Sequence, residues 1–260
     1  MTRPISIMVA AHKDYEFPDD AGYLPLQVGR AISSNPLPFA GDDTGESISA
    51  LNRSYCELTG LYWLWKNRTA DVFGLVHYRR YFCAPSTGVP IRGSRVASST
   101  ELANLLADYD IVLSKPRRYV VETVRKHYAN AHYISDLQAA EAIIGDRHPD
   151  YLHAFKRVMA QRTLSLYNMF IMNAPEFHAY CEWLFPILFE AQKRIPFETY
   201  GPYQGRVFGF LGERLLNVWV EKNVARERIK FLPVVNLEGE SFVKKAAGLL
   251  ERKFRGVKQH

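Results

Sequence analysis

Val72-Phe73-Gly74-Leu75-Val76-His77-Tyr78-Arg79-Arg80-Tyr81-Phe82 runs from five small or apolar residues straight into an imidazole, two guanidiniums and three aromatic rings. A short apolar run bounded by polar residues reads as a strand buried on both faces, the mark of a parallel sheet. In open sheets of that kind, ligands bind beyond the carboxyl ends of the strands. His77, Tyr78, Arg79 and Arg80 therefore stand where function is expected. Guanidinium forks match phosphate oxygens bidentately, and aromatic faces suit a base or a sugar ring. The structural alternative is a surface turn whose arginine stems lie over the aromatics.

The same pattern recurs on either side. Ile5 to Ala11 is a second apolar run and ends at His12-Lys13; Ile111 to Leu113 is a third and ends at Ser114-Lys115. His12, Lys13 and Lys115 join the first group as candidate contacts to a donor diphosphate. Helical spacing appears at Leu58, Leu61, Tyr62 and Trp65, with Ser54 and Glu57 at capping-box distance in front. It appears again over Glu101 to Ala107, His127 to Ile144, Tyr151 to Met159, Pro175 to about Phe189 (with a kink or break expected at Pro186) and Gln204 to Lys222. Leu166 to Met172 reads as a fourth strand carrying Tyr167-Asn168 inside it, and Phe231 to Val235 as a last one. Residues 31 to 53 and 84 to 99 read as loops. Strands alternating with helices predict an α/β fold with a mainly parallel sheet.

Composition narrows the function. The chain has 260 residues, 47% of them hydrophobic, with three cysteines and a formal charge of +6. Cys56, Cys83 and Cys181 are far apart and read as reduced thiols. The six-residue stretch Ile5 to Ala10 is too short for a secretory core, and no run of 18 apolar residues suggests a membrane span, so a cytoplasmic protein is expected. The positive charge suits an anionic ligand. It lacks the basic stripe with interleaved aromatics of a nucleic-acid reader, and no nucleic-acid partner is expected. No Walker-type loop or kinase signature supports a phosphotransferase.

Further polar groups invite roles. Asp42-Asp43, in a glycine-flanked turn, offers hard oxygens for a divalent cation (Mn or Mg) on a diphosphate, or is plain turn chemistry. No Asp-x-Asp closes one of these strands near the middle of the domain; His77 to Arg80 occupies that place, and arginines can neutralise phosphate as a metal does. His132 and Asp136, four residues apart, would share a helix face. Asn168 would be a buried amide with sugar hydroxyls or a neighbouring loop as partners. Glu213, amid apolar residues near Arg206, is the first candidate for a general base and Asp136 the second; an ion pair with arginine is the alternative for Glu213.

Tyr23 to Gly29, Tyr55 to Asn67, His77 to Phe82, Tyr167 to Met172 and Arg206 to Trp219 together resemble a domain-of-unknown-function family of bacterial capsular and exopolysaccharide glycosyltransferases. The sequence departs from the common pattern at Gly60 and Gly212, where Ala and Ser prevail. The resemblance implies a GT-A-like fold over residues 1–240 and a nucleotide-sugar donor, a UDP-sugar first. It also implies a surface polysaccharide or lipid-linked oligosaccharide acceptor, with galactosyl or galactofuranosyl transfer among relatives. His12, Lys13, Asp42, Asp43, His77 to Arg80 and Lys115 are the expected donor contacts, and His132, Asn168 and Arg206 the acceptor contacts. A non-catalytic glycan- or nucleotide-binding subunit is the alternative. The tail 241–260 carries Phe242, Val243, Ala246, Leu249, Leu250 and Phe254 as an apolar stripe, with Lys244, Lys245, Arg252, Lys253, Arg255 and Lys258. That pattern predicts a helix lying on an anionic membrane, at its inner face, or packed on the domain.

Overall fold

The computed structural model describes residues 3–84 and 87–238; the tail 241–260 lies outside the described residues. In chain order the strands are β1 (Ile5–Ala11), β2 (Tyr23–Gln27), β3 (Val72–His77), β4 (Arg80–Phe82), β5 (Val89–Ile91), β6 (Ser94–Val96), β7 (Ile111–Ser114), β8 (Arg117–Arg118), β9 (Thr163–Leu164), β10 (Phe170–Asn173), β11 (Ile229–Leu232) and β12 (Val234–Asn236). The helices are α1 (Asn52–Tyr55), α2 (Leu58–Asn67), α3 (Ser99–Leu105), α4 (Val124–Ala131), α5 (Ile134–Arg147), α6 (Leu152–Ala160), α7 (Ala174–Arg194) and α8 (Val207–Asn223).

The main sheet runs β11-β7-β10-β3-β1-β2, with β4 and β12 added beside β3. β2, β1 and β3 are parallel, as are β7 and β11; β10 alone in that row opposes both neighbours. The fold is thus the expected mainly parallel α/β sheet flanked by helices. Alternation along each strand divides the core into two layers. Met8, Phe73, Leu75, Leu113, Phe170 and Met172 face α2, α5, α7 and α8, where Phe73 stacks on Phe177 at 4.1 Å. Ile7, Val9, Val76, Val112 and Ile171 face α3, β4 and the β5–β6 hairpin. Fully burying each such side chain contributes about 1.5–3 kcal/mol, so the strands that carry the site are firmly held.

Several local readings are corrected. The run near Ser54 does not form a capping box: Ser54 lies within α1 and Cys56 takes φ 53, breaking the chain into α1 and α2. A capping box forms instead at Ser98, whose hydroxyl accepts the Glu101 amide while Glu101 accepts the Ser98 amide. β2 was not foreseen because Pro25 interrupts it; as an edge strand it tolerates the missing N–H. The loop 84–99 holds the β5–β6 hairpin, and the last strand divides at Pro233. The helical stretch from His127 breaks at His132-Tyr133, not at Gly145, which lies inside α5. α7 continues through Pro186 without a break. Glu182 and Pro186 are both exposed, so the carbonyl freed by the missing N–H faces water.

Candidate functional site

A cavity of about 1190 Å³ opens over the carboxyl ends of β1 and β3 and is closed on its other side by α1, α8 and the turn before β10. Its wall includes His12, His77, Tyr78, Arg79 and Arg80 from the strand ends, with Asn168, Glu213, His132 and Arg206 opposite. Nine expected site residues, spread from position 12 to 213, thus meet in one space.

The strand-end group is a nest of cations around a buried ring. Tyr78 is 3% exposed, and its amide donates to the Ala10 carbonyl, tying the turn after β3 to the end of β1. Its ring meets His12 edge-on at 5.1 Å, with the Lys13 ammonium 5.3 Å and the Arg79 guanidinium 5.5 Å from the centroid. Burial lowers the His12 pKa, and the charges of Arg79, Lys13 and Arg206 lower it further. Arg80 lies over the Tyr167 ring at 4.7 Å, and its buried Nε has no hydrogen-bond partner. A basic group that repels protons from a neighbouring imidazole and leaves a buried guanidinium donor unused is suited to a bound anion.

The second structural centre is the Tyr167-Asn168 turn. Both residues have left-handed backbones, φ 77 and 54, and precede β10 instead of lying in the strand, correcting the sequence reading. Such conformations in non-glycine residues cost about 1–3 kcal/mol each and persist only when surroundings impose them. Here Glu213 Oε1 accepts the Tyr167 amide at 2.6 Å, and His77 donates Nε2–H to the Tyr167 carbonyl at 2.7 Å. Burial holds the His77 pKa below its ordinary value, only partly opposed by the Glu57 carboxylate, so His77 is a neutral donor. Asn168, 2% exposed, then donates Nδ2–H to Glu57 Oε1 at 2.6 Å and to the Gly209 carbonyl at 3.3 Å, while its Oδ1 is buried without a partner. The close approach of α8 needs Gly212, where a Cβ would stand 2.7 Å from Leu58 Cδ1. At Gly60 a Cβ would stand 2.7 Å from Met8 Sδ and Val28 Cγ1, so the Ala and Ser of the common pattern would require these neighbours to move.

Glu213 is ion-paired with Arg214 at 2.8 Å in addition to holding Tyr167, so its carboxylate is committed on both oxygens. Asp136 does not line the cavity. It is 2% exposed and accepts from the Tyr200 hydroxyl at 2.8 Å, and burial raises its pKa. His132 and Asp136 do not share a helix face, because His132 ends α4 in extended backbone. His132 stacks on Phe210 at 4.0 Å and donates Nδ1–H to Gln204. Arg206 donates Nε–H to Cys56 Sγ at 3.3 Å; burial pushes the Cys56 thiol up to about 11, so the sulfur stays neutral.

Four expected donor contacts stand outside the cavity wall. Lys13 is bridged to Glu238 at 3.2 Å, and Lys115 is exposed beyond β7. Asp42 is fully buried and organises its own loop: it accepts the amides of Gly29 at 2.9 Å and Arg30 at 3.1 Å, the Thr59 hydroxyl at 2.5 Å, and the Ser49 hydroxyl. With both oxygens saturated and Asp43 exposed, the pair does not fit a phosphate-bridging cation. Among the described residues no group of three or more His, Cys, Asp or Glu is placed to hold a metal. None of the helices among them is long and apolar enough to cross a membrane.

The sequence reading missed Glu57, Cys56, Tyr119 and Arg214, all on the cavity wall. Glu57 was hidden by a local explanation, its capping distance from Ser54. Arg214 is 3% exposed with its Nε unpartnered, a burial no local pattern announces.

No curated protein matches the chain. A solved structure described as the apo form of the bifunctional glycosyltransferase WbbM superposes with a TM-score of 0.82 at 31% identity, over 92% of this chain. This chain spans 46% of that one. Residues 6–224 match the family model described as domain of unknown function DUF4422, and the chain belongs to that family.

Proposed function

We propose that this protein is a glycosyltransferase with a GT-A-like fold that moves a hexosyl unit, galactosyl or galactofuranosyl, from a nucleotide-diphosphate sugar to a surface polysaccharide or lipid-linked oligosaccharide. A UDP-sugar is the first choice of donor and inversion the expected course. The observation that carries the reading is the unpartnered buried Nε of Arg80 beside Arg79, His12 and His77 at the ends of β1 and β3. A diphosphate there would supply the missing acceptor oxygens, and the guanidiniums would take up the charge that develops on it as the sugar leaves. The likeness to a bifunctional glycosyltransferase supports transferase chemistry. The opposite wall, with the His132–Phe210 stack, Tyr203 and Arg206, offers an aromatic and polar face to an acceptor sugar.

The test is release of free nucleoside diphosphate from UDP-hexoses in a coupled assay. Release should depend on a lipid-linked oligosaccharide acceptor; no release with any donor and acceptor would refute the reading. The tail 241–260 extends the proposal to peripheral binding at the inner face of the cytoplasmic membrane. Lysine and arginine there contribute about 1 kcal/mol each on an anionic surface. The full chain should co-sediment with anionic vesicles at low salt and a chain ending at Gly239 should not; equal partitioning would remove the tail's role.

A further inference from the structure

Among the described residues three carboxylates line the cavity: Glu57, Glu198 and Glu213. They are not equivalent. Glu213 has both oxygens engaged, by the Tyr167 amide and by Arg214. Glu198 is exposed on a turn at the rim, where nothing among the described residues fixes its direction. Glu57, at the start of α2, has Oε1 fixed at 2.6 Å by Asn168 Nδ2 and accepts no bond at Oε2 from the described residues. One oxygen is thus gripped and the other is left for a proton from outside the protein.

The grip is itself built with care. Asn168 reaches Glu57 only because the turn that carries it is held in left-handed backbone from both sides, by Glu213 at the Tyr167 amide and by His77 at the Tyr167 carbonyl. Arg80 covers the same residue's ring. The cation group at the strand ends and the carboxylate of α2 are therefore coupled through two consecutive residues. Asn168 Oδ1, buried without a hydrogen-bond partner, lies on the α8 side, 3.5 Å from where a Cβ on Gly212 would stand.

We infer that Glu57 is the general base of the transfer and that Asn168 is its positioning residue, an assignment that rests on the glycosyltransferase reading above. In the step, the acceptor O–H bond breaks and its proton passes to Glu57 Oε2. The freed electron pair on oxygen forms the new bond to the anomeric carbon. The bond from that carbon to the donor's β-phosphate oxygen breaks, and its electron pair leaves with the nucleoside diphosphate beside Arg79 and Arg80.

The test compares E57Q and N168A with the wild-type full chain, using UDP-glucose, UDP-galactose and UDP-galactofuranose with a synthetic lipid-linked oligosaccharide. E57Q keeps the acceptor for Asn168 and loses basicity. Its kcat should fall on the order of 100- to 10,000-fold, with UDP affinity within about threefold of wild type and the acidic limb of the pH–rate profile gone. N168A should lower kcat and keep that limb. If E57Q does not fold, E57D carries the test: it should lower kcat and retain the limb. An E57Q enzyme within about tenfold of wild type, or a loss carried by E198Q instead, would overturn the assignment while the transferase reading stands. A wild-type protein that transfers no sugar would remove both.

Discussion

Glu213 Oε1 stands 2.6 Å from the amide nitrogen of Tyr167, fastening α8 to the left-handed turn that precedes β10. The same carboxylate pairs with Arg214, whose side chain is 4% exposed. This relationship makes Glu213 an organiser of the cavity wall. E213Q still offers an acceptor to Tyr167 but leaves a buried guanidinium without its counter-charge. Stability should fall by about 1.5–3 kcal/mol, the range for a hydrogen bond to a charged group, read as a lower urea midpoint with unchanged slope. An unchanged midpoint together with abolished transfer would instead return the base role to Glu213.

Arg79 and Arg80 make separable predictions. Arg79 is partly exposed and bridged to Glu238 at 2.9 Å, a pair worth at most about 1 kcal/mol. R79A should fold normally, and so should R80A, whose guanidinium packs over Tyr167. At least one of the two should weaken UDP binding by about 1.5–3 kcal/mol, the loss of a charge-assisted contact. Calorimetric titration with UDP and GDP measures it, and unchanged affinity in both variants would remove the phosphate role.

Asp42 should behave as a structural residue. D42A leaves two amides and two hydroxyls of its loop without their acceptor. Each buried donor so orphaned costs about 1–3 kcal/mol, so a loss of roughly 3 kcal/mol or more is expected. Thermal unfolding checks this. A variant that folds with native stability but loses a metal-dependent activity would restore the cation reading.

How much of this was legible follows from where each constraint originates. β1 and β3 were legible because each is a continuous apolar run closed by polar residues, and the cations that follow are placed by the strands. The Tyr167-Asn168 turn was not, because it continues the apolar run of β10 and is bent by partners 46 and 90 residues away. Glu57 and Asp42 failed in opposite ways. A helix-start pattern concealed the one, and a paired-carboxylate pattern advertised the other, although its four donors come from three separate stretches of chain. The motif positions were readable, but their division into binding and supporting roles came from tertiary hydrogen bonds.

Stability should also report the buried histidine. Burial depresses the folded-state pKa of His77 below its unfolded value of 6.5. Between the two values the unfolded chain binds a proton that the folded chain refuses. Its contribution is therefore full above pH 6.5 and is lost as pH falls through the folded value. His12 and His127 share the direction, also chiefly through burial. Urea midpoints should decline below about pH 6.5, the ordinary histidine value, and H77Q should flatten the decline without abolishing it. Parallel curves for H77Q and wild type would show that His77 binds protons equally in the folded and unfolded states.

The central claim is sugar transfer from a nucleotide donor, and mass spectrometry of the acceptor reads it directly. After incubation of the full chain with UDP-glucose, UDP-galactose and UDP-galactofuranose, a lipid-linked oligosaccharide should gain the mass of one hexose from one of these donors. The R79A/R80A double variant should add none at the same donor concentration. An acceptor of unchanged mass with every donor, while the protein still binds UDP, would contradict the account and leave a nucleotide-binding subunit in its place.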